Sequence, residues 1–256
     1  MPLPVQSAAG ASEEPQPGQT LSEWERVGDT YVAPGKTFKD IRRKSTWWLP
    51  FLLLAVISIA FAYAVDQEVG FEKVAETSVS QSSQAQERLA SLPDAQRART
   101  IHTIAATTRV FTYLSPVFSL IVALGAAAIL MMSFNFGLGS DARFAQYLAV
   151  YMYASLPMAI KYVLAIITLF AGVSTDQFDL RNPVGTNLGF YLSSDLPLWL
   201  RTLFSSVDIF TIWTVVLLVV GCSIVARVKR GSAAAIVVGW WLLMILGFTV
   251  SAAVQG

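Results

Sequence analysis

The chain has 256 residues, of which 54% are hydrophobic and 14% charged, against about 25% charged in ordinary soluble domains. That composition excludes a conventional water-soluble globular fold, and a formal net charge of +1 gives no electrostatic basis for nucleic-acid binding. One cysteine excludes an internal disulfide, and with a single histidine beside it a thiolate or imidazole metal cage has too few ligands.

The first residues are rich in Pro, Gln, Ala, Ser and Glu and cannot bury enough apolar area to offset chain entropy. A disordered cytoplasmic tail is expected over residues 1–30, followed by a membrane domain over 31–254. Next comes PGKTFKDIRRK. Pro34 and Gly35 read as a turn and Thr37 as a cap, while Phe38 and Ile41 share one helical face at i and i+3. The expectation is a short helix at the cytoplasmic interface with its apolar side toward lipid. Lys36, Lys39, Arg42, Arg43 and Lys44 stand here against Asp40 alone. This density of cations beside a span places the amino end inside. It also fits selection of anionic lipid, at about 1 kcal/mol per basic group near the surface.

A helix rising about 1.5 Å per residue needs about 20 apolar residues to cross a hydrocarbon core of about 30 Å. Five segments of the sequence qualify: 47–65, about 114–134, about 145–173, 203–226 and 233–254. Five crossings from an inside amino end leave the carboxyl end outside. The loop over 66–110 is patterned as a helical hairpin: a Ser-, Gln-, Ala- and Glu-rich arm, then a second arm from Pro93 that feeds the second span. His102 in that arm has no His, Cys or paired carboxylate nearby in sequence.

Within the spans the ionisable side chains are few. Lys161 in the third and Asp208 near the start of the fourth would each cost several kcal/mol in hydrocarbon unless paired, snorkelling or solvated. Counting residues from the outer helix ends separates them by roughly 10 Å, which a leaning lysine stem largely closes. A Lys161–Asp208 pair is therefore one reading, beside independent snorkelling and a water-filled cavity. Pro116 and Pro157 interrupt or open apolar helices, with Ser115 and Ser155 beside them to bond the carbonyls that proline frees. Ala235 and Gly239 give a small-xxx-small face in the last span. Cys222, among Val, Gly and Ser, reads as a small packing residue.

Catalysis finds no footing in this pattern. A nucleophile with its base, a pair of intramembrane aspartates, a metal-binding set and a GxxxxGK[ST] phosphate loop are all missing from the sequence. No catalytic, cofactor or metal residue is assigned, and no cofactor is expected.

Several stretches in order, PGKTFKDI then STWWLP, YLSPVFSLIVAL, YMYASLP, VDIFTIWTVVL and VARVKRGSAAAIVVGWW, resemble the Yip family of membrane proteins, most closely its bacterial members. The resemblance covers about residues 30–254 and implies an all-α, five-span bundle with a cytoplasmic amino end, in a bacterial cytoplasmic membrane. Eukaryotic members act in vesicle traffic, bind prenylated Rab-type GTPases and associate with one another. The acidic Asp-Leu-x-Gly-Pro stretch of those members stands here as Leu114, Ser115, Pro116 after Tyr113. That departure speaks against small-GTPase binding. The expected partners are the lipid bilayer and either another membrane protein or a second copy of the chain. The expected role is a non-enzymatic scaffold, adaptor or membrane organiser; the alternative is a small-solute or ion transporter or channel subunit using Lys161 and Asp208.

Overall fold

The computed structural model describes residues 20–172, 178–193 and 196–255, and among them the fold is entirely helical apart from one isolated bridge between Asn187 and Asp208. In chain order the helices are α1 (Glu23–Val32), α2 (Pro34–Ile41), α3 (Trp48–Glu68), α4 (Phe71–Ser80), α5 (Ser83–Ala90), α6 (Asp94–Tyr113), α7 (Ser115–Leu138), α8 (Phe144–Ala154), α9 (Pro157–Phe170), α10 (Leu198–Ser206), α11 (Ile209–Val225) and α12 (Arg230–Gln255). A short 3-10 turn, Leu188–Tyr191, precedes α10.

Four stretches are long and apolar enough to cross a membrane: Trp48–Glu68, Ser115–Leu138, Phe144–Phe170 and Arg230–Val254. The apolar helix Ile209–Val225 is shorter, at 17 residues. Large parts of these rods have no protein cover. Phe136 is 88% exposed, and Ile121, Leu246, Phe248 and Val254 face outward as well. Contiguous apolar surface on this scale calls for hydrocarbon around it, which is where a helix with all its backbone bonds satisfied internally is stable.

Two buried clusters hold the rods together. The first gathers Phe38 and Ile41 of α2, Ala127 and Phe134 of α7, Tyr147 and Val150 of α8, and Leu217 and Val225 of α11. The second joins Phe61 and Val65 of α3 to Val74 of α4, Ala105 of α6 and Ala165 of α9. At the closest approach in the first cluster, a β-carbon on Gly221 would stand 2.5 Å from Val150 Cγ1 and 3.0 Å from Phe38 Cε1. Glycine at that position is what lets α11 lie against α8 and α2.

The amino-terminal region departs most from expectation. Residues 1–19 lie outside the described residues, but 23–30 are helical, so the expected disordered tail over 1–30 is corrected there. Ser22 caps α1 by accepting from Glu25 N, and the Glu25 carboxylate accepts from Ser22 N in return. This reciprocal cap is a local signal strong enough to start a helix. Pro34 opens α2, where its fixed φ suits the first helical turn and its missing N–H costs nothing. Pro34 and Gly35 are thus helical rather than a free turn. The apolar side of α2 is buried against α8 and α11 in place of lipid, because those two helices offer Phe38 and Ile41 a close-packed seat.

Three further boundaries shift. The third span is two helices, interrupted at Ser155–Leu156 where Pro157 cannot donate to the turn before it. The expected fourth span 203–226 is divided: residues 203–206 belong to α10, which packs on α12, and the apolar rod begins only after Asp208. The first arm of the expected hairpin is split at Gln81–Ser82 into α4 and α5. Its second arm, α6, packs on α4 and runs into α7 through Leu114.

Candidate functional site

Buried ion pairs with further polar partners stand at two places among the described residues, one built by the amino-terminal hairpin and one between α9, α10 and α11. In the first, α1 and α2 lie side by side between α8 and α11. Arg26 is completely buried on α1. Its Nε donates to Asp40 Oδ2 of α2 at 2.7 Å, Nη2 stands equally close to the same oxygen, and Nη1 donates to Glu23 Oε1 at 3.2 Å. Asp40 also accepts from Leu21 N at 3.2 Å, and Thr46 bonds both Arg26 and Glu23. The Arg26 carbonyl accepts the hydroxyls of Thr30 at 2.7 Å and Thr37 at 3.1 Å, which ties the two arms by the backbone.

This knot is anchored to the bundle. Tyr153 of α8 donates to Glu23 Oε2 at 2.8 Å, and Gln146 donates to the Arg42 carbonyl at 2.9 Å. The tip of the hairpin reaches further in: Tyr31 donates to the Leu156 carbonyl at 2.9 Å and meets the Trp213 ring edge-on at 5.7 Å. Leu156 is twelve residues from the start of α8, or about 18 Å along the helix at about 1.5 Å per residue. The hairpin therefore seats its tip at the proline break in the middle of the α8–α9 rod. Burial raises the Glu23 carboxyl, but hydrogen bonds from Thr46 and Tyr153 with the charges of Arg26 and Lys44 overcome that and hold it below the usual carboxylate range.

All five expected basic residues are exposed. Lys36 pairs with Asp29 of α1 at 3.0 Å, while Lys39, Arg42, Arg43 and Lys44 line the outer side and base of α2. The hairpin thus hides an ionic knot and presents a cationic face.

In the second place, Lys161 Nζ lies 3.0 Å from Asp208 Oδ2, with the Asp208 side chain 1% and the Lys161 side chain 11% exposed. Asp208 is also the N-cap of α11, its Oδ1 accepting from Phe210 N at 2.9 Å and Thr211 N at 3.3 Å. Oδ2 further accepts from Thr186 Oγ1 and from Asn187 Nδ2 at 3.4 Å. Asn187 and Asn182 bond each other through both amides, and Asn182 reaches Ser205 of α10 at 3.2 Å. Gly189 makes this possible: any side chain there would collide with the backbone and hydroxyl of Ser205. Sequence spacing left the Lys161–Asp208 pair as one of three readings, and the loop that completes the site has no period to read.

Chemically, both places are buried ion pairs whose charges face each other, with Arg26 Nη2 left without a hydrogen-bond acceptor in the first. Among the described residues no three His, Cys, Asp or Glu side chains converge as a metal-holding set. Pro116 is the second residue of α7 with Ser115 the first, so the proline shapes a join between α6 and α7 and leaves α7 itself unbroken. Ser155 donates to the Tyr151 carbonyl at 2.8 Å, at the α8–α9 break beside Pro157. Arg26 and Glu23 were missed by sequence reading. The signal available for them was the Ser22-x-x-Glu25 cap ahead of Val27 and Tyr31.

A family model described as the Yip1 domain matches residues 28–251, from the middle of α1 to the last turns of α12. No curated protein and no solved structure matches the chain.

Proposed function

The chain belongs to the Yip1 domain family of membrane proteins, and from that premise we propose that it is a non-enzymatic scaffold or adaptor that binds a membrane partner through its amino-terminal hairpin. The observation that carries this reading is the pairing of a buried Arg26–Asp40 knot with an exposed basic face. A partner or an anionic lipid surface meets a rigid, pre-formed cationic patch, so little ordering entropy is lost on binding. In this reading α11 is a fifth crossing. Its 17 residues give about 25 Å, close to the lower limit for a spanning helix. The basic residues before α3, with Arg227 and Lys229 before α12 and Arg230 opening it, favour a cytoplasmic amino end and an outer carboxyl end. The membrane is taken to be a bacterial cytoplasmic one.

Proximity labelling from the hairpin in native membranes should recover one reproducible membrane-protein neighbour or the chain itself, and reversing Lys39, Arg42 and Arg43 to Glu should abolish it. The competing transport reading is favoured by the buried Lys161–Asp208 pair. Liposomes holding the purified protein decide between them: flux lost on Lys161→Ala supports transport and sinks the scaffold reading.

A further inference from the structure

A groove of about 370 Å³ lies where α3, α6, α7 and α9 meet, within the range of about 300–1,000 Å³ usual for small-molecule sites. Its lining is rich in hydroxyls, brought by Ser58, Thr107, Thr108, Thr112, Ser115 and Tyr162. Ser58 and Thr112 donate to carbonyls of their own helices at 3.0 and 2.7 Å. The hydroxyls of Thr107, Thr108, Ser115 and Tyr162 find no acceptor among the described residues. Ser58, Ser115 and Tyr162 belong to the apolar rods and the three threonines to α6 beside their ends, so the groove lies at the membrane boundary, where a hydroxyl left without a partner once water is displaced costs on the order of 1–3 kcal/mol.

Depth and rim narrow the choice of ligand. Asp66 stands near the end of α3 and Ser58 eight residues earlier, so the groove reaches about 12 Å below the rim. At the rim Arg109 Nη2 lies 2.7 Å from Asp66 Oδ2, which also accepts from Tyr113 at 3.2 Å. The Arg109 side chain is 58% exposed, leaving donors of its planar fork for an outside acceptor. Below, Phe111 and Phe118 lie 5.3 Å apart and continue outward onto the apolar face of α7. The groove thus brings together a phosphate-seeking cation at its rim, a set of hydroxyl donors and an apolar rail. A diacyl lipid presents phosphate, ester carbonyls and acyl chains to match them.

We propose that this groove holds one glycerophospholipid, with its phosphate at Arg109, its ester carbonyls accepting from Thr107, Thr108, Ser115 and Tyr162, and a chain along Phe111 and Phe118. The test uses the full chain in vesicles of phosphatidylethanolamine and phosphatidylglycerol that carry a trace of phospholipid with a diazirine beside its glycerol. Photo-adducts should concentrate on the peptides holding Ser58, Thr107–Ser115 and Tyr162. Thr108→Val, Ser115→Ala and Tyr162→Phe together should cut those adducts, by roughly fivefold for each hydroxyl lost, while adducts on α12 and the melting temperature stay unchanged. Should the triple variant not fold, Thr108→Val alone carries the same readout. A diacylglycerol probe without phosphate should label the groove several-fold less. Even labelling over α7, α12 and the groove, or groove labelling indifferent to the variants, overturns the proposal, and equal labelling by diacylglycerol overturns the role given to Arg109.

Discussion

Arg26 and Asp40, fourteen residues apart on the two arms of the amino-terminal hairpin, form an ion pair with an Nε to Oδ2 distance of 2.7 Å in a place where the arginine side chain has no solvent contact. A charge buried this way is stabilising only as long as its partner is present. The pair therefore ties the two arms of the hairpin to each other.

Asp40→Ala should leave the buried guanidinium with Glu23 as its remaining carboxylate partner and cost up to about 3–5 kcal/mol. Arg26→Lys should fail to restore the wild type, since an ammonium cannot reproduce the fork that meets Asp40, Glu23 and Thr46 together. Replacing both, as Arg26→Met with Asp40→Leu, should be milder than either single loss. Protease sensitivity of the Leu21–Lys44 segment and detergent melting measure all three.

Acid should loosen the same region through Glu23. Its carboxyl is held below the ordinary value of 4.5 in the folded chain, so its contribution to stability is full above that pH and fades as pH falls through the lower folded value. Proteolysis of the hairpin followed from pH 7 to pH 3 should show protection lost at the acid end. Glu23→Gln should flatten that part of the profile.

Asp208 has two tasks, pairing with Lys161 and capping α11, and substitutions separate them. Asp208→Asn keeps a good cap and loses the charge, so it should destabilise less than Asp208→Ala, which also forfeits about 1 kcal/mol of capping. Lys161→Met should cost about 3–5 kcal/mol by stranding the carboxylate. Exchange of the two residues should rescue only partly, because lysine cannot cap the helix. Melting temperatures of the variants in one detergent give the order.

Gly221→Ala should cost about 1–3 kcal/mol by forcing α11 away from Val150 and Phe38. Gly239→Ala, where a β-carbon meets nothing within 4 Å, should be neutral or stabilising by up to about 1 kcal/mol. A melting comparison distinguishes a packing role for the first glycine from the mere presence of a small residue at the second.

Apolar runs long enough to span lipid are a one-dimensional property, and residue counting along the chain was enough to find the rods α3, α7, α8–α9 and α12. The same counting, measured from helix ends, put Lys161 within reach of Asp208. It could not find the hairpin, because Glu23, Arg26 and Asp40 look like surface charges until α8 and α11 close over them. Nor could it show that Phe38 points into protein rather than lipid, since both are equally apolar and a helical period cannot tell them apart. The loop through Asn182, Thr186 and Asn187 was hidden for a related reason: side-chain bonds between segments follow no repeat. Solvent preference is written residue by residue, whereas which buried charge meets which partner depends on helices brought together from distant parts of the chain.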